Sequence, residues 1–244
     1  MNQDNKFIRS LIQSSLRGNN SALEQLFSMN LNKVYTLTLR LTSNFSSAEK
    51  LTEEVLVEAW KQIKYLREDA TFSSWITGIT VYQCLKYLRE NDNPKPQQAS
   101  QLPSKDHLEK VILDLPKNER IVMVLHYFEK YTIDEISDLL AVSGSDAKMY
   151  LEEGEKKVIT RSPDLSDAKN ITEEINRIRV DMKPENDLIN QAFVTIYKTK
   201  SEDEVKDQFL KEKQSSEDSN TDEQEKNKKG LGGLFKKILP KSKK

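Results

Sequence analysis

Cysteine and histidine are nearly absent from this sequence, and their scarcity excludes several kinds of functional site. The 244 residues include one cysteine and two histidines, too few for an intramolecular disulfide or for a zinc site built from these ligands. Cys84 lies in an apolar helical stretch, where we expect a buried structural thiol in a reducing, cytoplasmic compartment. Neither a phosphate-binding glycine loop nor a nucleophile elbow occurs. The sequence therefore predicts a protein that acts by binding, without a metal, a cofactor or an enzymatic activity.

The sequence also lacks an excess of charge of one sign and any long apolar run. Its formal net charge is −1, so a contact with nucleic acid has to come from a local basic cluster and not from the chain as a whole. No stretch approaches the roughly 18 apolar residues of a membrane-spanning helix, and the first ten residues lack the apolar core of a signal peptide. We therefore expect a protein that is neither exported nor inserted through a bilayer.

Apolar residues at helical spacing are abundant, and they predict an all-α protein. Steps of three and four residues separate the apolar positions of the first block, and nothing in it resembles a strand. Ser46 or Ser47 is expected to cap the helix that follows the polar break TSNFSS. We predict two small helical domains joined by a linker, with a helical and disordered C-terminal extension. The boundaries are 5–91 for a first domain of three to four helices, 92–105 for the linker, 106–160 for the second domain, 161–198 for a helical appendage, 199–229 for a disordered tether and 230–244 for a basic tail.

The second domain contains two short helices at a spacing of particular interest. The segments TIDEISDLL, AVSG and SDAKMYLEEGEKKVI have the order helix, tight turn, helix. Ser143 and Asp146 are spaced as a capping box at the start of the second helix. Gly154 lies in the interior of that helix, where glycine costs about 1 kcal/mol relative to alanine, so we expect the helix to fray or end early. The pattern fits a DNA-binding helix-turn-helix or an ordinary helical hairpin, and packing alone does not separate these alternatives.

Three segments occur in an order that resembles one known family. They are LTEEVLVEAW, FSSWITGITVYQCLKYLRE and, after a proline-bearing linker, LPKNERIVMVLHYFEKYTIDEISDLLAVS. Over about residues 5–160 the sequence resembles bacterial RNA polymerase sigma factors of the extracytoplasmic-function type, within the sigma-70 family. The resemblance implies promoter-specific transcription initiation, with core RNA polymerase, promoter DNA and an anti-sigma regulator as partners. It also implies that the first domain docks on polymerase and opens the promoter, whereas the second contacts the upstream promoter element.

The resemblance further implies roles for the residues at matching positions. Those expected to bind polymerase are Leu51, Glu54, Leu56 and Trp60. Those expected to contact the melted strand are Trp75, Tyr82, Lys86 and Arg89. Aromatic rings and cations suit this second task, because bases stack on rings and cations neutralise the phosphate backbone. In the helix-turn-helix, the expected DNA contacts are Ser145, Lys148, Tyr150, Lys156 and Lys157.

Several functional positions depart from the family pattern, and in the second domain acids replace cations. Glu153 and Glu155 stand where the family has arginines, and Asp146 replaces a small hydroxyl residue. Sequence-independent affinity for DNA comes mainly from cations that release counterions, so we predict weak duplex binding by the second domain. Two functions therefore stay open. One is a working sigma factor, and the other is a degenerate sigma-derived adaptor that binds a protein or a membrane without recognising promoters.

The C-terminal part lies beyond the resemblance. Residues 161–198 are expected to pack on the two domains, with occupation of the polymerase- or DNA-binding face as the alternative. Residues 199–229 are almost wholly polar, which predicts a flexible tether. The tail combines an apolar helical face with lysines, and its candidate contact residues are Leu231, Leu234, Phe235, Lys236, Lys237 and Ile238. Three interpretations of this segment stay open: it binds the inner face of an anionic membrane, it docks on a protein, or it is disordered. In each case we expect a cytoplasmic location for the protein.

Overall fold

The computed structural model describes residues 3–67, 70–91, 106–162, 165, 167–178 and 181–201. All regular structure in these ranges is helical, which confirms the predicted all-α class with two helical domains joined by a linker. The predicted linker, 92–105, lies outside the described residues, and the domain boundaries stay predictions.

The helices follow one another in chain order. The first domain contains α1 (Gln3–Leu16), α2 (Asn20–Thr42), α3 (Phe45–Gln62), a 3₁₀ turn (Ile63–Tyr65) and α4 (Phe72–Glu90). The second contains α5 (His107–Leu113), α6 (Lys117–Met123) with a π-helical continuation (Val124–Phe128), α7 (Ile133–Leu140) and α8 (Gly144–Arg161). The extension adds α9 (Ala168–Arg177) and a helix over 188–201, which we call α10.

Short polar side chains fix where the helices begin. The side chain of Asn44 accepts a hydrogen bond from Ser47 N and caps α3, so the expected cap at Ser46 or Ser47 is wrong by two or three residues. An amide oxygen satisfies the free N–H groups of the first turn as well as a hydroxyl does, and Asn44 precedes both candidate serines in the polar break. Ser143 caps α8 as predicted, because its Oγ accepts from Asp146 N, but the reciprocal bond of the predicted capping box does not form: Asp146 Oδ2 accepts from Ser143 Oγ and not from the backbone.

Helix α2 is the central element of the molecule. Every residue from Val34 to Ser43 is buried, because α3 and α4 pack on one part of the helix and α5 and α6 of the second domain on another. A helix buried around its full circumference needs satisfied polar groups. Its threonines provide them locally: Thr42 Oγ1, for example, donates to Thr38 O at 2.7 Å.

The buried apolar residues form two large clusters. The first, which we call the shared core, draws on both domains and the extension, and includes Leu37, Leu41, Leu51, Cys84, Leu85, Leu88, Leu108, Ile112, Ile121, Met123, Ile136, Ala147, Leu151, Val158, Leu165, Ile171, Ile175 and Ile178. The second, the N-terminal core, includes Leu11, Leu23, Leu26, Phe27, Val34, Val55, Leu56, Ala59, Phe72, Trp75, Ile76, Ala192, Phe193 and Ile196. Because the shared core crosses the domain boundary, the two domains are packed against each other.

Buried polar contacts accompany this packing of one domain on the other. Arg40 on α2 and Glu109 on α5 form an ion pair with a 2.7 Å distance between Nε and Oε1, and both side chains are almost fully buried. Arg120 of α6, 2% exposed, donates from Nε and Nη2 to Leu41 O of α2, each at 3.4 Å. Burial lowers the pKa of Arg120 to about 10, which still leaves the guanidinium charged at neutral pH. These contacts link the domains by directed bonds in addition to apolar contact.

Helix α8 passes through Gly154 without interruption and ends at Arg161, so the expectation that it frays or ends early is wrong. Gly154 is buried where α8 crosses α6, and a Cβ built on it would lie 2.8 Å from Met123 Cγ. The glycine therefore allows the two helices to approach closely, and packing against α6 offsets its low helix propensity. Among the described residues, no helix combines the length and apolar character needed to cross a membrane.

Candidate functional site

The residues expected to bind polymerase lie on α3 but do not share one surface. Leu51 is 1% exposed and belongs to the shared core, whereas Leu56 is fully buried in the N-terminal core. Glu54 is exposed, and its carboxylate lies 3.7 Å from Lys50 Nζ. Trp60 is half-buried at the edge of the N-terminal core. A binding surface on this helix therefore has Glu54 and Trp60 as its accessible members, while the two leucines hold the helix in place.

The residues expected to contact melted DNA divide in the same way along α4. Trp75 is 6% exposed, and its ring packs at 5.5 Å from that of Phe72 between ring centroids, so it belongs to the core. Tyr82 is half-buried, whereas Lys86 and Arg89 are exposed in the last turns of the helix. The accessible cations of α4 thus lie at its C-terminal end, where they also stabilise the negative end of the helix dipole.

The segment predicted as a helix-turn-helix has that geometry. Thr132 and Glu135 form a capping box at the start of α7. Ala141 follows α7 in the left-handed conformation, with φ of 55°, and reverses the chain before Ser143 caps α8. Ile136 and Ala147 are fully buried, so the two helices pack through small and branched apolar side chains. The structure agrees with a helix-turn-helix, although an ordinary helical hairpin shares this packing.

The expected DNA contacts of α8 differ in accessibility. Ser145, Lys148 and Lys156 are exposed, whereas Tyr150 is half-buried against the shared core. Lys157 is half-buried and forms an ion pair with Glu119, a residue only 5% exposed. Because a buried carboxylate needs a counter-ion, Lys157 has a structural task that competes with binding to a phosphate.

The acids of α8 also differ from one another. Glu155 accepts a hydrogen bond from Tyr127 Oη at 2.5 Å, and burial together with this contact raises the pKa of Tyr127. Glu155 is thus tied to the π-helical continuation of α6 and faces the protein interior in part. Glu153 is exposed, and so is Glu152, which lies 3.6 Å from Lys148 Nζ. The exposed surface of α8 therefore mixes cations with carboxylates, in agreement with a weak electrostatic attraction to phosphate.

The candidate DNA-contacting residues of the two domains meet at a crevice. Arg89 at the end of α4 donates through Nη2 to the carbonyl of Leu139 in α7. Arg89 and Tyr150 both line a crevice of about 140 Å³, together with apolar residues that include Leu88 and Leu140. In this arrangement, part of each candidate DNA surface faces the other domain.

The extension makes contacts with α3 that the sequence did not predict for any particular residue. Thr195 donates to Glu53 on α3, and Asn186 donates to Glu49 one turn earlier. Lys200 Nζ lies 5.7 Å from the ring centroid of Trp60. The apolar spacing of Leu188, Ile189, Ala192, Phe193 and Ile196 predicts an amphipathic helix, but it does not identify the surface on which that helix packs.

The remaining sequence expectations concern isolated residues and the tail. Cys84 is fully buried, as expected, and burial, with a smaller contribution from Glu54, raises the pKa of its thiol. Within the described ranges no group of histidine, cysteine and acidic side chains is arranged to hold a metal ion. The tail from Leu231 to Ile238 lies outside the described residues, so membrane contact stays a prediction from sequence.

Comparisons with known proteins match the chain in two places. The family model "Sigma-70 region 2" matches residues 26–93, and the model "Sigma-70, region 4" matches residues 105–158. The ECF RNA polymerase sigma factor SigW of Bacillus subtilis (strain 168) is 21% identical over 183 residues, which cover 65% of this chain and 98% of that protein. SigM, an ECF RNA polymerase sigma factor of the same organism, is 22% identical over 144 residues, with 53% and 88% covered.

Solved structures are also similar to this chain. CnrH in complex with the cytosolic domain of CnrY has a TM-score of 0.44 and 17% identity, over 66% of this chain and 99% of that chain. The sigma factor RpoE from Bartonella quintana, crystallised with the anti-sigma factor NepR, has a TM-score of 0.41 and 16% identity, over 56% of this chain and 94% of that chain.

Proposed function

We propose that this chain, which belongs to the extracytoplasmic-function type of the sigma-70 family, binds core RNA polymerase and directs it to specific promoters. The observation that carries the proposal is the occurrence of regions 2 and 4 in order, with helices throughout the described part of each. The exposed Glu54 and the half-buried Trp60, held in place by the buried Leu51 and Leu56, support α3 as the polymerase-binding helix.

The proposed mechanism uses the two domains in turn. Helix α3 holds the polymerase, and the last turns of α4 present Lys86 and Arg89 to the melted strand, where cations neutralise the phosphate backbone. Helix α8 contacts the upstream duplex through Lys148 and Lys156, the exposed cations among its predicted contacts. Trp75, in the first turns of α4, contributes by packing in the N-terminal core, since its side chain is only 6% exposed. We also propose that an anti-sigma regulator competes for these surfaces.

We expect Glu54→Arg to weaken the binding of core RNA polymerase about tenfold or more, because reversal of one charge in a contact adds repulsion to the loss of attraction. Glu54 is exposed, so the folded structure should tolerate the change. Binding is measured by titrating labelled full-length protein with purified bacterial core enzyme. Glu24→Arg, an equal charge reversal at an exposed position of α2, is the matched control. Equal affinities of the two variants for core enzyme would place the contact elsewhere.

A second candidate function is a sigma-derived adaptor that binds a regulator or polymerase without selecting promoters. The observation in its favour is the composition of α8, where Glu152 and Glu153 are exposed beside the candidate DNA contacts and Lys157 is engaged with Glu119. These features reduce the attraction of α8 to phosphate, whereas contacts with a protein through α3 need no cations on α8.

We expect Glu153→Lys to strengthen duplex binding by the full chain about tenfold at low salt and to steepen the salt dependence by about one additional phosphate contact. Glu153 is exposed, so the substitution changes charge and not packing. Fluorescence anisotropy with one labelled duplex at several salt concentrations measures both quantities. Glu24→Lys adds the same charge in the first domain and should change binding little. An identical effect of the two substitutions would show that α8 does not face the duplex.

A further inference from the structure

The apolar face of α10 is part of the N-terminal core. Ala192 and Ile196 are fully buried, and Phe193 is 9% exposed. The ring of Phe193 lies 6.0 Å from that of Phe27 on α2, measured between centroids. The opposite face carries Val194, which is 52% exposed. The helix therefore has one buried and one exposed side, and the buried side packs directly on the first domain.

Polar contacts place α10 alongside α3. Thr195 Oγ1 donates to Glu53 at 2.7 Å, and Lys200 Nζ lies 5.7 Å from the ring centroid of Trp60. Glu53 and Trp60 are seven residues apart, which puts them on the same side of a helix after two turns. Glu54, the neighbour of Glu53, borders this side. Helix α10 therefore lies against Trp60 and against Glu53, the chain neighbour of Glu54, at the proposed polymerase-binding surface.

The start of α10 and the segment just before it continue the contact along α2 and α3. Met182 N donates to Thr36 Oγ1 at 2.6 Å. Leu188, 1% exposed, packs with Tyr35 and with Leu113 of the second domain. Asn186 donates to Glu49 at 2.8 Å, one turn before Glu53 on the same side of α3. The extension thus contacts α3 over several turns.

The extension also holds the second domain. Leu165, Ile171, Ile175 and Ile178 are buried in the shared core with residues of α5 to α8. The extension, described over 165, 167–178 and 181–201, is therefore anchored in both cores of the molecule. While it is bound, the domains stay packed together and Arg89 of α4 stays bonded to Leu139 of α7. The crevice between the domains then contains both Arg89 and Tyr150, one candidate DNA contact from each domain.

We propose that residues 165–201 inhibit the protein in cis: α10 occupies the surface of α3 that core polymerase binds, and the preceding segment holds the two DNA-contacting domains closed. This inference rests on the polymerase-binding function proposed above. Helix α10 and core polymerase cannot bind this surface of α3 at the same time. The apparent affinity for polymerase is therefore the intrinsic affinity multiplied by the fraction of molecules in which α10 has dissociated from α3. Release of the extension uncovers the side of α3 beside Glu54 and allows the domains to separate along the promoter.

The test uses the full chain and compares two variants of α10. Phe193→Asp combined with Ile196→Asp places two carboxylates in the N-terminal core and releases the helix. Val194→Asp places a carboxylate on the exposed side of the same helix and is the matched control. Hydrogen exchange of residues 188–201 measures the release of α10, and hydrogen exchange of α2 and α4 checks that the first domain stays folded. Titration with purified core RNA polymerase measures the affinity of each variant for polymerase. We expect faster exchange and an apparent Kd at least about tenfold lower for the double variant alone.

A milder variant covers the case in which the double variant unfolds the first domain. Thr195→Glu opposes Glu53 and loosens α10 by charge repulsion, without a change in the apolar core. It should also speed exchange of 188–201 and tighten polymerase binding. Release of α10 without a gain in polymerase affinity would overturn the inhibitory role and leave the polymerase function intact. If none of the chains, released or not, bound core polymerase, both the proposed function and the inhibition that rests on it would be wrong.

Discussion

Replacing Glu109 with alanine is expected to lower the free energy of unfolding by about 3–5 kcal/mol, because the change leaves the Arg40 guanidinium buried without its counter-ion. The side chains of Arg40 and Glu109 are 6% and 4% exposed, and their contact joins α2 of the first domain to α5 of the second. Urea unfolding followed by circular dichroism measures the loss. Since both domains contribute to the shared core, we expect one transition with a lower midpoint.

The double variant Arg40→Met, Glu109→Leu makes both positions apolar. It separates the effect on stability of replacing the whole ion pair from the effect of removing one partner. Arg40 stacks over the ring of Phe128 at 4.0 Å, yet its Nη2 is buried without a hydrogen-bond partner, so the ion pair is incompletely satisfied. Replacement of such a pair by apolar side chains of similar volume is typically neutral or stabilising by about 1–4 kcal/mol. A loss of less than about 1 kcal/mol for Glu109→Ala would indicate that Arg40 reaches water in that variant.

The ion pair illustrates which part of the fold was accessible from sequence. Helical periodicity predicted the all-α class and two helical domains, because apolar spacing and capping residues are local properties. No local pattern relates Arg40 to Glu109, which are 69 residues apart. For this reason the sequence predicts two domains joined by a linker but not the packing of one domain on the other.

The candidate site, like the fold, was only partly predictable from the sequence. The family resemblance identified α3 and α4 as functional helices, but a matched position does not separate residues that touch a partner from those that hold the helix in place. Leu51, Leu56 and Trp75 are buried, so their roles are structural in this conformation, whereas Glu54 and Arg89 are accessible. Helix periodicity could have assigned Leu51 to a buried face. The packing of α10 on α3 had no sequence signal beyond the amphipathic pattern of α10 itself.

At Gly154, helix propensity and the packing seen in the structure predict changes in stability of opposite sign. Helix propensity alone predicts that a side chain at this position stabilises α8 by about 1 kcal/mol. The structure places any Cβ there 2.8 Å from Met123 Cγ and 3.2 Å from its Sδ, and Met123 is fully buried. Close packing leaves Met123 little room to move, so overpacking outweighs propensity.

We therefore expect Gly154→Leu to destabilise the protein by about 3 kcal/mol, equivalent to a decrease of about 10 °C in Tm, and Gly154→Ala to destabilise it by less. Thermal unfolding followed by circular dichroism measures both. Gly78 is the matched control, because it also lies inside a helix but has no atom within 4 Å of a built Cβ. Gly78→Ala should stabilise the protein by about 1 kcal/mol through propensity alone. Stabilisation by both alanine substitutions would show that α8 and α6 do not approach closely at Gly154, and that helix propensity sets the sign at both glycines.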